Sequence, residues 1–153
     1  MKILRTPDEC FDNLDEYPFE PNYIDIEHDD QALRMHFLDE NSESEEIVLL
    51  MHGEPTWSYL YRKIIPILVS NGKRVIAPDL IGFGKSDKPS SKEDYSYKNH
   101  IMWVEALLKK LDLKNITFFA QDWGGLIGLR LLAKYPDLYN GLVVSNSGLP
   151  VGS

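Results

Sequence analysis

Residues Asn115 to Gly125 read N-I-T-F-F-A-Q-D-W-G-G, and this stretch decides the fold. Ile116 to Ala120 is a β-branched and aromatic run, the composition of a buried strand. Asp122 follows at a point where the residues two positions away, Ala120 and Gly124, are small. Gly124 to Lys134 then has helical spacing, with Pro136 just past its end. A strand, a sharp turn bearing one reactive side chain, and a helix make up a nucleophile elbow. Here the apex residue is a carboxylate. Gly125 would let the helix pack closely on the strand, and the helix N-terminus would favour a charged carboxylate through its dipole. A helix cap is an equally good local reading of Asp122, because Asp is a preferred N-cap residue.

Working outward, the same alternation recurs. Ile47-Val48-Leu49-Leu50-Met51 is a continuous apolar run, suited to a strand covered on both faces of a parallel sheet. Trp57 to Ser70 has helical spacing and stops at Asn71-Gly72, with Pro66 placed to kink or divide it. Arg74 to Ala77 is another strand, Tyr97 to Leu111 a second amphipathic helix, and Leu142-Val143-Val144 a last strand. Before these, Tyr23 to Glu27 and Leu33 to Leu38 alternate apolar and polar residues around His28 to Gln31, which predicts a β-hairpin. Residues 1–22, with three prolines, read as an irregular arm, and 23–153 as one core domain. The expected fold class is α/β: an open, mostly parallel sheet with an antiparallel start and right-handed crossovers.

Composition bounds the function. The chain has 153 residues, 43% hydrophobic and 26% charged, as in ordinary globular domains. A net charge of −8 opposes nucleic acid or an anionic membrane as partner. Cys10 is the single cysteine, so no internal disulfide can form, and it reads as an incidental thiol. There is neither a signal-like N-terminal apolar segment nor a run near the ~18 apolar residues of a membrane span. The expectation is a cytoplasmic protein.

Three other features bear on chemistry. His52-Gly53-Glu54-Pro55 directly follows a buried strand, where open sheets bind ligands. In elbow enzymes the oxyanion is held by the N–H after the nucleophile and by one from such a loop, here those of Trp123 and Glu54. His52 itself reads better as a structural histidine of the loop than as a base. Trp123 is either a packed helix-start aromatic or an indole N–H donor to a departing anion. Gly82-Phe83-Gly84-Lys85-Ser86 suggests a phosphate loop, but Asp79 stands where its first glycine is required. That stretch reads instead as a tight connection.

Taken together, His52-Gly53-Glu54-Pro55-Thr56-Trp57, the run from Pro78 to Asp87, and Gln121-Asp122-Trp123-Gly124-Gly125 resemble the hydrolytic haloalkane dehalogenases of the α/β-hydrolase fold. The likeness runs from Arg5-Thr6-Pro7-Asp8 through Asn146. Asp-Trp at the elbow narrows the field to dehalogenases and epoxide hydrolases, and Glu54 with Thr56 resembles the dehalogenase side. The resemblance implies that Asp122 attacks a halogenated carbon to form an alkyl ester. It implies that the Trp123 indole receives the halide, and that the Glu54 and Trp123 N–H groups hold the tetrahedral intermediate. It implies a small halogenated aliphatic substrate and no cofactor or metal. Pro55, Trp57 and Leu126 are the candidate pocket residues.

The family's helical cap, last two strands, catalytic acid and base histidine would lie beyond the sixth strand, so the expectation is a truncated form. None of His28, His36, His52 or His100 falls where the base is needed, and Asn146 stands where some relatives carry the acid. The isolated chain is therefore expected to turn over little. An epoxide hydrolase-type enzyme and a non-catalytic fragment or interaction module are the alternatives. Leu142-Val143-Val144 would form an apolar edge, favouring self-association.

Overall fold

A computed structural model describes residues 2–148. The trailing segment expected after Asn146 therefore lies, for residues 149–153, outside the described residues. The strands are β1 (Ile3–Leu4), β2 (Asn22–His28), β3 (Gln31–Glu40) and β4 (Ile47–Met51). They are followed by helix α1 (Ile65–Ser70), β5 (Arg74–Pro78), β6 (Lys88–Pro89) and helix α2 (Tyr97–Lys110). The chain then runs through β7 (Ile116–Gln121), helix α3 (Asp122–Lys134) and β8 (Tyr139–Ser145).

Six strands form one sheet in the order β2-β3-β5-β4-β7-β8. The hairpin β2–β3 is antiparallel and β3 runs antiparallel to β5, while β5, β4, β7 and β8 are parallel neighbours. This is the sheet the strand–helix alternation predicts. Outside it, β1 pairs with β6, tying the arm to the loop after β5. Arg5 reinforces that tie with two hydrogen bonds to Asp87, at 2.7 and 2.9 Å.

The apolar run of β4 is buried on both sides, and its residues alternate. Ile47, Leu49 and Met51 join Phe118 and Ala120 of β7 against Val104 and Leu108 of α2 and Ile127 and Leu131 of α3. Val48 and Leu50 face the other way, against Tyr61, Ile65 and the arm residue Tyr17. A third cluster packs the hairpin's Ile26, Leu33, Met35 and Phe37 on Trp103 and Leu107 of α2. Full burial of such a side chain contributes roughly 1.5 to 3 kcal/mol, so these clusters hold the sheet's central strands.

Two helices differ from the sequence pattern, and the arm read as irregular contributes the short strand β1. The Trp57–Ser70 helix is divided into a short 3-10 turn over Ser58–Tyr61 and helix α1, with Pro66 in the first turn of α1. A proline there gives up no hydrogen bond, since the first turn has no acceptor for its N–H. Helix α3 begins at Asp122, two residues before the periodic pattern. At the far edge, β8 pairs only with β7 among the described residues, and Leu142, Val143 and Val144 are 44%, 48% and 49% exposed. Among the described residues no helix is long and apolar enough to cross a membrane.

Candidate active site

Asp122 sits where β7 stops and α3 starts, with φ of +50°. A side chain in that left-handed region is strained and needs surrounding structure to hold it. The small residues predicted around it are closely packed by their neighbours. A Cβ on Gly124 would lie 2.3 Å from Met51 O, and one on Gly125 would lie 2.0 Å from Ser147 Oγ. A Cβ on Gly53 would lie 2.0 Å from Asp122 Oδ1. The backbone of the turn is held by Asp122 N–H donating to Asn146 O at 3.2 Å and by Ser147 Oγ donating to Asp122 O at 2.9 Å.

The carboxylate does not cap its helix. The cap position falls on Gln121, which makes no side-chain capping bond. Asp122 Oδ1 instead accepts from Glu54 N at 2.9 Å, across from the loop after β4. The side chain is thus turned out of the helix toward the carboxyl ends of the strands, the side on which open sheets bind ligands. Among the described residues no histidine nitrogen hydrogen-bonds to it. Nor is any group of three or more His, Cys, Asp or Glu arranged to hold a metal ion.

The Glu54 loop is firmly fixed. Gly53 O accepts from Thr56 N at 3.0 Å, Thr56 Oγ1 at 2.8 Å and His52 Nδ1 at 2.9 Å. Gly53 N donates to Gln121 Oε1 at 3.1 Å. His52 Nε2 accepts from Leu80 N at 2.9 Å, which leaves the proton on Nδ1. Burial holds His52 below the usual histidine range, against opposing contributions from Asp79, Gly53 and Asp122. A neutral imidazole with both nitrogens engaged is a strut in this structure.

Behind His52 lies Asp79, fully buried. Its carboxylate accepts from Ser58 N (2.8 Å), Lys85 N (2.9 Å) and His36 Nδ1 (2.8 Å). Burial alone would raise its pKa, but the hydrogen bond and charge of His36, with further help from His52 and Lys85 N, leave it lowered. The stretch read as a tight connection is therefore wrapped around a buried carboxylate. A Cβ on Gly84, whose φ is +47°, would meet Asp79 Oδ2 at 2.2 Å. The sequence marks Asp79 as the residue that spoils a phosphate loop and as part of the Pro78–Asp87 run, without indicating what it holds.

Trp123 is 43% exposed, so it is not a packed core aromatic. It lines a concavity of about 300 Å³ with Glu54, Leu80, Phe83, Tyr95 and His100. His100 is there because α2 packs directly on α3, which brings its N-terminal turn alongside Trp123. The His100 ring packs edge-on against Trp103 with centroids 4.9 Å apart, and burial, then His52, lowers its pKa to about 4. Of the expected pocket residues, Leu126 lines a second, open concavity with Asp122, Asn146 and Ser147. Pro55 and Trp57 line neither concavity. The Trp57 ring stacks on Tyr59 and packs against Phe11 and Tyr17, where it anchors the arm.

Comparison with known proteins points the same way. A haloalkane dehalogenase of Psychrobacter cryohalolentis is 56% identical over 99% of this chain and 50% of the relative. The solved tetrameric haloalkane dehalogenase of Paraglaciecola agarilytica superposes with a TM-score of 0.89 at 44% identity, over 97% of this chain and 51% of that one. A Vigna radiata epoxide hydrolase mutant superposes with a TM-score of 0.72 at 30% identity, over 85% of this chain and 40% of that one. The chain thus spans about half the length of the curated relatives it matches. The model of the alpha/beta hydrolase fold family matches residues 46–152, from the start of the parallel sheet through the elbow and beyond β8. That range takes in the parallel strands of the sheet, and the chain belongs to the alpha/beta hydrolase fold family.

Proposed function

We propose that this chain carries the nucleophile of a haloalkane dehalogenase-type hydrolase acting on small, halogenated aliphatic substrates. The observation that carries the reading is the Asp122 carboxylate, turned out of its own helix and flanked by Glu54 N–H and Trp123. An Asp122 carboxylate oxygen attacks the carbon bearing the halogen. A C–O bond forms, the carbon–halogen bond breaks, and the halide leaves with the bonding electrons toward the Trp123 indole N–H. Water then adds to the ester carbonyl, with the Glu54 and Trp123 N–H groups on the developing oxyanion. Collapse releases the alcohol, restores the carboxylate and yields one proton. These steps call on no cofactor or metal.

The second step needs a base for the water, a contribution typically of about 10² to 10⁴-fold. No described histidine is hydrogen-bonded to Asp122, so the 153-residue chain by itself is proposed to react once and turn over little. The likeness to dehalogenases, 56% and 44% identical against 30% for the epoxide hydrolase, ranks the epoxide reading second. The division proposed is an arm over 1–22 and a core from 23, in a cytoplasmic protein whose exposed β8 edge supports self-association. The test is halide release from the purified chain with excess 1-bromobutane. A stoichiometric release that Asp122→Asn abolishes supports the reading. Sustained release that survives this substitution overturns it.

A further inference from the structure

Glu54 N–H and Gly53 C=O belong to one peptide group and point in opposite directions. Whatever fixes the carbonyl therefore aims the N–H. Gly53 O takes three donors, the Thr56 Oγ1 hydroxyl (2.8 Å), the Thr56 N–H (3.0 Å) and His52 Nδ1 (2.9 Å). The preceding peptide is gripped as well, since Gly53 N donates to Gln121 Oε1 at 3.1 Å. Gln121 is the last residue of β7 and the immediate neighbour of Asp122. The loop after β4 and the elbow are thus joined twice, once through Gln121 and once through the Glu54–Asp122 hydrogen bond of 2.9 Å.

We propose that Thr56 and Gln121 are positioning residues that grip Gly53 from its two sides and so hold the Glu54 N–H on the Asp122 carboxylate. The proposal rests on reading Asp122 as the nucleophile. Neither side chain touches substrate in this role. Thr56 acts through the carbonyl it donates to, and Gln121 through the N–H it accepts from. Gly53 cannot be replaced to achieve the same hold, because a Cβ there collides with Asp122. The remaining two donors on Gly53 O survive removal of the Thr56 hydroxyl, so the loss from one substitution is partial.

The test uses the 153-residue chain and follows amide hydrogen exchange at Glu54 by NMR, with the β4 amide of Leu49 as internal reference. Thr56→Val and Gln121→Leu are each expected to speed Glu54 exchange about three- to tenfold, the scale of one hydrogen bond. Leu49 exchange stays unchanged. Thr56→Ser, which restores the hydroxyl, and Gln121→Glu, which restores an acceptor oxygen, return Glu54 exchange to the parent rate. Equal acceleration at Glu54 and Leu49, or none at Glu54, overturns the proposal. Alkylation of Asp122 by 1-bromobutane, read by mass, slows in the two disabling variants and recovers in Thr56→Ser. Unchanged exchange with intact alkylation sinks the positioning role alone. The predicted exchange pattern with no alkylation of the parent sinks the nucleophile reading alone.

Discussion

Glu54 N–H donates to Asp122 Oδ1 at 2.9 Å across 68 residues of sequence, joining the loop after β4 to the elbow after β7. This bond aligns one oxygen of the carboxylate and places the same N–H where an ester oxygen would later develop charge. Asp122→Asn keeps an acceptor oxygen for Glu54 while removing the proposed nucleophile. It should leave stability within about 1 kcal/mol of the parent in urea unfolding, as expected where hydrogen bonding is retained, while abolishing halide release.

Gly53→Ala should separate the two residues. The added methyl would lie 2.0 Å from Asp122 Oδ1 and 2.3 Å from its Cβ, so the carboxylate must shift away from Glu54. A stability loss of about 1 to 3 kcal/mol is expected from such overpacking, with alkylation slowed at least about tenfold, a 1.4 kcal/mol change in barrier. Urea midpoints and intact mass after timed incubation check both.

Asp79→Ala should cost more stability than any change at the elbow. It strips a fully buried His36 of its partner and leaves the Ser58 and Lys85 N–H groups without their acceptor. Breaking such a buried pair costs about 3 to 5 kcal/mol, readable as a fall in urea midpoint. The folded-state pKa of Asp79 is lowered, so its contribution is present at neutral pH. It is lost only as the pH falls below the ordinary carboxylate range.

His100 titrates on a different scale. Its folded-state pKa of about 4 lies below the ordinary 6.5, so the unfolded chain binds the proton first. Stability is full above pH 6.5 and falls as the pH drops from there to about 4. The full loss is about 3 kcal/mol at 1.36 kcal/mol per unit. His100→Phe should flatten that part of the pH profile of urea unfolding while leaving the acid limb from Asp79.

The β8 edge presents Leu142, Val143 and Val144 with nearly half of each exposed and no charged residue within Tyr139–Ser145. Unprotected apolar edges invite pairing. The chain should elute larger than a monomer, and Val143→Lys should shift it toward the monomer in size-exclusion chromatography.

Periodicity carried most of the fold. The continuous run Ile47–Met51 and the stretch Ile116–Gln121 are central strands because both of their faces are covered, which is what unbroken apolar composition reports. The small residues around Asp122 likewise announced a crowded apex. Long-range polar contacts left no such trace. That Asp79 would be wrapped by Ser58, Lys85 and His36, or that Gln121 would reach Gly53, depends on strand order, and spacing along the chain does not encode it. Trp57 has an apolar helical position, but its division from α1 turns it toward the arm and away from the concavities beside Asp122. His100 reached the Trp123 concavity because α2 and α3 pack on the same face of the sheet, a tertiary fact invisible to its local pattern.

The central claim is that Asp122 forms a covalent ester with a halogenated carbon. Peptide mapping by mass spectrometry after incubating the chain with excess 1-bromobutane tests it most directly. The account predicts a butyl adduct confined to Asp122, accumulating with one equivalent of bromide. A folded chain that releases bromide with no adduct on Asp122 would contradict it.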